Sequence, residues 1–459
     1  MIIVKILLGL VGLGVVVFVH ELGHFLAARA MGIEVEAFSI GWGKAFLKKK
    51  IGGVEYRLGV FPLGGYCKMK GENDLRDADE NGEFVPQPGG FYAAHPLRRI
   101  ITAFAGPFFN ILFAIAVFSV IWGVGFETPV LENRIILVSD ISGDTAYPAN
   151  VAGLQTGDRI IEIDGKPCEN YADIQQTVAL NPGEALPFTV IRDNKIVNLT
   201  VTPNMDRETA TGKIGVYFWT DPVIGRVVPD SPAAHAGLLA GDRITKMADE
   251  DFPYSAAITK IFAGFAEREE SSDTANAMNA VSIEWERADQ TYTGTLDIPE
   301  TGVLGLEWQL PVYKTPHYGF FGAIAKGATE AGTTLAASVK SLTFFFKGID
   351  FTKAVSGPVR ITYMVGDVAA SGFAESASSG LRSSAEFLAF ISIALCVMNL
   401  LPLPILDGGL ILLFLIEIIR RRPVPTRMVA VFQTFGVVLI GGLMLFALFG
   451  DILFLVNQG

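Results

Sequence analysis

Apolar and polar positions divide the chain into a few long unbroken apolar stretches and many shorter alternating ones. Four stretches, about Ile2–Ala30, Ile100–Phe126, Phe387–Ile419 and Met428–Val456, stay apolar for longer than the roughly 20 residues a helix needs to cross a bilayer. Between the second and third lies a mixed region, about 127–380, that reads as soluble. Its one ambiguous piece is Tyr318–Phe346, apolar but interrupted by Lys326, Glu330 and Lys340. That piece reads either as an interfacial helix on the membrane surface or as an ordinary packed helix. Within the soluble region a pattern recurs. Ala152-Gly153-Leu154 with Gly157-Asp158-Arg159-Ile160 returns as Ala236-Gly237-Leu238 with Gly241-Asp242-Arg243-Ile244, an offset of 84 residues (236 − 152) at every position. Such an offset indicates a duplicated domain. After the first copy, Ile160–Ile163 reads as a strand and Asp164-Gly165 as a tight hairpin turn. The second copy carries Ala248-Asp249-Glu250 in place of that turn. In the loop after the first span, Tyr56, Leu58 and Val60 alternate, and Gly64-Gly65 is expected to turn the chain back in a hairpin. That stretch is either a strand edge able to hold an extended peptide or a loop that only packs against the spans.

Composition agrees with membrane spans. Half of the residues are hydrophobic and only 18% are charged, a balance unsuited to a soluble protein of 459 residues. The net charge of -11 argues against a nucleic-acid partner, which needs clustered basic surface. Three cysteines, Cys67, Cys168 and Cys396, are too scattered for a disulfide framework. Lys and Arg give an orientation. Lys44, Lys48, Lys49, Lys50, Arg98 and Arg99 lie between spans one and two, and Arg420, Arg421, Arg422 and Arg427 between spans three and four. Under the positive-inside rule both loops are cytoplasmic, and both termini and the region 127–380 lie outside. The apolar start is expected to be a retained span rather than a cleaved leader, because His20-Glu21-Leu22-Gly23-His24 falls near its end.

That pentad carries the chemistry. On a helix, residues four apart share a face, so His20 and His24 can point at one metal ion. Glu21 then sits beside the ion, able to take a proton from the attacking water and pass it to the leaving amine. The five-residue pattern also arises by chance, and a snorkelling interfacial cluster is its bland alternative. Ionisable side chains in an apolar span are expensive, however, and mark function. A catalytic zinc wants three protein ligands and an open position. The third candidate is Asp407, in Asn399-Leu400-Leu401-Pro402-Leu403-Pro404-Ile405-Leu406-Asp407-Gly408-Gly409, inside a 33-residue stretch, Phe387–Ile419, that lacks Lys and Arg. Its alternative is a charge meeting Arg98 or Arg99. Pro402, Pro404, Gly408 and Gly409 should break the helix there, which membranes tolerate only where backbone is buried or lines a wet cavity. Asn399 reads as a hydrogen-bonding contact for an extended substrate or as a helix-packing amide. His95, His235 and His317 read as surface or packing residues.

Together HELGH in the first span and NLLPLPILDGG in the third resemble the site-2 protease family of intramembrane metalloproteases, in the layout of its bacterial regulator-of-sigma-E protease (RseP) type. Phe61-Pro62-Leu63-Gly64-Gly65-Tyr66, Ala105-Gly106-Pro107-Phe108-Phe109-Asn110 and Ser356-Gly357-Pro358 are further matches; Leu410 departs from the His found in many relatives. The repeated AGL..GDRI is similar to PDZ domains of bacterial periplasmic proteases. The resemblance implies a polytopic α-helical membrane protein of four transmembrane helices with two tandem, β-rich α+β PDZ domains in the periplasm. Its expected parts are a first span at 1–30, a cytoplasmic membrane-associated β loop at 31–99 and a second span at 100–126. The PDZ domains follow at 127–220 and 221–310, then an amphipathic helical region at 311–383 and spans at 384–419 and 428–456. The resemblance also implies Zn2+ on His20, His24 and Asp407, with Glu21 as base. Substrate contacts are implied from Asn399, Pro402 and Pro404, and from an edge strand within Tyr56–Lys70, around Gly64 and Gly65. The implied reaction is the second cut of a single-span membrane protein, an anti-sigma factor or a remnant signal peptide, in the inner membrane of a bacterium, near its cytoplasmic side. PDZ modules can grip peptides by strand addition, act as spacers, or screen out bulky substrates. A PDZ-bearing scaffold with a non-catalytic metal site is the rival reading, and a zinc hydrolase of lipids a second.

Overall fold

The structure, a computed structural model, describes residues 2–72, 86–142, 147–206, 209, 211–262, 280–299, 303–343 and 357–458. Ser356, Phe344–Phe346 and the stretches 263–279 and 300–302 therefore lie outside the described residues. The chain forms two compact units, one of residues 1–126 and 315–459 and one of residues 127–314.

The first unit is built on helices, four of them with apolar runs longer than a soluble helix needs. The helices are α1 (Ile2–Ala30), α2 (Pro96–Val124), α3 (Phe320–Leu342), α4 (Pro358–Glu375), α5 (Ala377–Asn399), α6 (Asp407–Arg420) and α7 (Thr426–Gln458). Among the described residues, four helices are long and apolar enough to cross a membrane: those within α1, α2, α5 and α7. The third crossing helix differs from the sequence expectation. It starts at Ala377 rather than near Phe387 and ends at Asn399, because Pro402 and Pro404 stop it and α6 begins afresh at Asp407. The early start brings Arg382 into the helix, where its guanidinium stacks 4.5 Å from the Phe126 ring. Within Tyr318–Phe346, α3 has a packed face, while Phe320, Phe321 and Val339 stay exposed. Ala323, Gly327 and Ala331, four apart, are its buried residues, and Ala331 joins a cluster with Ala114 and Phe118 of α2. Small residues also bring α4 onto α1: a side chain at Gly366 would collide with the Lys5 backbone. Asp451 of α7, 2% exposed, accepts hydrogen bonds from the Gly357 and Val359 N–H groups, at 3.0 and 2.9 Å. It thereby caps the start of α4.

Two strands, β1 (Val35–Ile51) and β2 (Val54–Met69), fill the loop after α1. Here the sequence expectation fails. The hairpin turn is Gly52-Gly53, with φ of 59° and 88°, and not Gly64-Gly65, which lies inside β2. Either glycine pair could turn a chain; register decides, since Ile51 pairs with Val54. Residues 37–40 of β1 lie opposite 65–68 and also opposite 55–58, which in turn lies opposite 47–50. The ribbon is thus four segments wide, and Gly65–Lys68 is one of its edges. Phe38, Val54, Cys67 and Met69 anchor it to Phe25 and Ala28 of α1.

The second unit shows the duplication in three dimensions. The first repeat has a sheet of order β4-β3-β5-β6, formed by β3 (Arg159–Ile163), β4 (Lys166–Pro167), β5 (Leu186–Arg192) and β6 (Lys195–Val201). The second has β7 (Arg243–Met247), β8 (Glu250–Asp251), β9 (Ala280–Arg287) and β10 (Gln290–Asp297), in the order β8-β7-β9-β10. Each repeat closes its own core, around Ile160, Ile163 and Phe188 in one and Ile244, Met247 and Phe252 in the other. The turn in doubt forms: Met247 pairs with Glu250, and Ala248 and Asp249 adopt φ of 55° and 61°. They match Asp164 and Gly165 (51° and 72°), the left-handed pair that a tight hairpin requires.

Candidate metal centre and catalytic cleft

α1 presents His20 and His24 one turn apart, both 7% exposed, and the start of α6 brings Asp407 against them. His20 Nε2 and His24 Nε2 are 3.1 Å apart, and Asp407 Oδ2 lies 3.2 and 3.5 Å from them. These atoms form a triangle whose edges match a tetrahedron: bonds of roughly 2.0–2.1 Å to one zinc ion imply ligand atoms ~3.3 Å apart. Protonation points the same way. His24 Nδ1 donates to the Thr102 carbonyl at 2.8 Å, so the neutral ring turns the Nε2 lone pair toward the triangle. Asp407 Oδ2 is buried and has no hydrogen-bond partner. Three lone-pair atoms this close repel one another unless a cation lies between them. The residues present therefore fit a zinc ion, with the site's open side on a cavity of about 440 Å³.

Sequence reasoning passed over the residues that aim these ligands. Asn110 of α2, fully buried, sets its amide 3.2 Å from His20 Nδ1, while its Oδ1 has no partner. A half-turn of the amide sets Oδ1 to accept from Nδ1–H and frees His20 Nε2 as a ligand. Ser392 Oγ of α5 donates to the Asn110 carbonyl at 3.0 Å. A side chain at Gly106 would collide with the His24 ring and sit 2.8 Å from His20 Cε1. Pro107 interrupts the α2 ladder within a turn or so of Thr102, whose carbonyl His24 uses. These assignments give the motif Ala105–Asn110 a physical content: it makes room for two imidazoles and orients one. The contacts of Thr102 and Asn110 with α1 are 78 and 90 positions apart in sequence, beyond any local spacing rule.

Neither Arg98 nor Arg99 pairs with Asp407. Arg99, 4% exposed, pairs with Glu417 of α6 at 2.9 Å and stacks 4.6 Å from the Phe414 ring. Glu417 is a second acid in the apolar stretch, and its salt bridge leaves Asp407 to the histidines. Ile405, just ahead, holds a φ of 78°, a rare conformation for a β-branched residue. That strain sits in the turn that aims Asp407 at α1.

Glu21 lines the same cavity, with Asn399, Tyr66, Cys67, Met69, Ile405 and Leu410 among its other walls. The Glu21 carboxylate has the Cys67 backbone as hydrogen-bonding neighbour. A Cβ on Gly65 would lie 3.2 Å from Glu21 Cγ, and one on Gly64 would collide with the Trp42 indole. Gly64 and Gly65 thus let the β2 edge close on the acid. Pro402 and Pro404 shape the turn from α5 to α6, and neither is among the residues lining the cavity. His95 caps α2 by accepting from Leu97 N–H. Burial pushes the Cys168 thiol, in the first repeat, up to about 11, so it is an inert core residue.

In each repeat the buried Asp of the GDRI pattern has an unforeseen partner. Arg192 grips both Asp158 oxygens at 2.8 and 2.7 Å, and Arg287 grips both Asp242 oxygens at 2.6 Å. Each arginine also donates to a loop carbonyl, Gly153 or Gly237, at 2.8 Å.

Comparison with known proteins adds an independent line. The family model described as peptidase family M50 matches residues 8–443. A Treponema pallidum protein whose name describes a zinc metalloprotease is 36% identical, over 98% of this chain and 99% of its own. A Neisseria meningitidis protein named likewise is 32% identical, over 95% and 96%. The regulator of sigma E protease of Haemophilus influenzae is 31% identical, over 97% of each chain.

Proposed function

The chain belongs to peptidase family M50 and is a membrane zinc metalloprotease, and on that premise we propose that it makes a site-2 cut in single-span membrane proteins. The observation that carries this is the triangle of His20, His24 and Asp407 ligand atoms beside Glu21, in a cavity walled by a strand edge. In this reading His20, His24 and Asp407 hold the zinc and Glu21 is the general base. Bound there, zinc would supply a Lewis acid for the scissile carbonyl and activate water as the nucleophile. Glu21 takes the proton of the attacking water and returns it to the departing amine. A helical substrate hides its scissile bonds in its own hydrogen bonds, so the cleft must hold it extended. The Gly65–Lys68 edge of β2 provides the ladder for that, with Asn399 lining the same space and Pro402 and Pro404 fixing the turn beside it.

The loops rich in Lys and Arg support a reading in which the active site lies toward the cytoplasmic side of a bacterial inner membrane and the repeats in the periplasm. An anti-sigma factor already trimmed outside is the proposed substrate, its fragment released into the cytoplasm to activate an envelope stress response. Remnant signal peptides form a second substrate class. The two repeats are read as PDZ modules that screen by size. In the first, Tyr171 Oη donates to the Val216 carbonyl at 2.8 Å, so that carbonyl is already engaged and less available to an added strand.

The test is cleavage of a trimmed single-span substrate in detergent, with the cut located by mass spectrometry. Glu21→Gln should lower the rate about 10²- to 10⁴-fold while zinc content stays that of the natural enzyme. Full activity in the variant removes Glu21 as base. A zinc-loaded natural enzyme that cuts no single-span substrate leaves the scaffold reading in its place.

A further inference from the structure

Between Met428 and Gly450 the fourth crossing helix carries one amide, Gln433, and beside it one hydroxyl, Thr434. Gln433 faces inward. It lines the cavity of His20, Glu21, His24 and Asp407, as does Val437 one turn on. Gly436, between them, lets α7 settle on the α5–α6 turn: a side chain there would collide with Pro404 and sit 2.9 Å from its carbonyl oxygen. The face made by 433, 436 and 437 is therefore held against the turn that aims Asp407. Among the described residues Gln433 makes no hydrogen bond. An amide in a crossing helix usually serves a purpose, and its position on the wall of the cleft indicates what pairs with it.

An extended peptide has two hydrogen-bonding edges. One laid along Gly65–Lys68 uses one edge on β2 and turns the other across the cavity, where an apolar wall would leave its N–H and C=O groups unpaired. Glutamine offers both a donor and an acceptor to such an edge. We propose that Gln433 is a substrate-positioning residue that hydrogen-bonds the outer backbone edge of the bound peptide, so that α7 forms the second wall of the cleft. The proposal rests on the protease reading above and adds to it a residue from the fourth helix.

Two hydroxamates separate the two ideas, each titrated against the zinc-loaded full chain in detergent. Acetohydroxamate chelates the metal and has no peptide backbone; a peptidyl hydroxamate adds two or three amides. Gln433→Met, similar in size and suited to a membrane helix, should weaken the peptidyl compound about tenfold, the worth of one hydrogen bond. Acetohydroxamate should bind it as it binds the natural protein, and Gln433→Asn should recover part of the loss. Unchanged binding of the peptidyl compound in Gln433→Met overturns the proposal, and so does an equal loss for both compounds, which would place the residue's effect at the metal. A natural protein that binds neither compound overturns the protease reading itself.

Discussion

Asp158 and Asp242 in one unit and Asp407 in the other meet the same problem in opposite ways. Asp158 and Asp242 are 1% and 0% exposed. Each is saturated by a two-pronged arginine and by a backbone N–H, from Gln155 and Leu239 respectively. Asp407 meets only two imidazoles and keeps an oxygen without a hydrogen bond. A charge that its own chain satisfies holds a fold together. One left short at its centre is built for something that arrives later. In sequence Asp158 and Asp242 stand beside Arg159 and Arg243 and Asp407 in an apolar stretch; the partners that fix each role come from elsewhere in the fold.

Exchanging the two roles gives the largest effects. Asp407→Ala should abolish zinc binding and cleavage, with hydrogen exchange across Glu127–Lys314 unchanged. Asp242→Ala should do the reverse, destabilising the second repeat because Arg287 and the Leu239 N–H both lose their acceptor, seen as faster exchange at β7 and β9, with zinc content retained. Retained zinc in Asp407→Ala would break the contrast. An intermediate effect belongs to Asn110→Ala, expected to weaken zinc binding about 10- to 100-fold by freeing the His20 ring, while folding survives; a competing chelator measures it. Normal affinity there would mean that α1 alone sets the ring. The smallest change is Ala248→Gly. Relieving the left-handed alanine should stabilise the second repeat by about 1 kcal/mol, seen as slower exchange at β7 and β8. No gain would mean that the turn is already unstrained.

What could be read from sequence was whatever obeys a local period. Length and apolarity mark four crossing helices, and a spacing of four sets His20 beside His24. The recurrence at 84 residues marks the twin domains. What escaped was decided by register and by distant partners. Gly52-Gly53 and Gly64-Gly65 look alike as dipeptides, and the pairing of Ile51 with Val54 chooses between them. The start of α5 escaped because Arg382 and Glu386 interrupt the apolar run. Asn110, Thr102, Arg192 and Arg287 escaped for a different reason: each acts on a residue at least 34 positions away, brought near only by packing. Glu417 shows the limit of arguing from the lack of a nearby base, since its arginine comes from another helix.

The cap that Asp451 forms on α4 has a mechanical consequence. Only 11% of the crossing window of α7 is buried against the rest of the chain, and two fastenings stand out, Gly436 on Pro404 and Asp451 on Gly357. Fifteen residues of helix separate them, about 22 Å. A rod fixed in this way does not drift sideways as a whole. Were the Pro404 contact released, the far fastening alone would act as its pivot, and Gln433, about 27 Å away, would have the longer arm. The grip of one carboxylate on two backbone amides and the wall of the cleft are thus two ends of one rod.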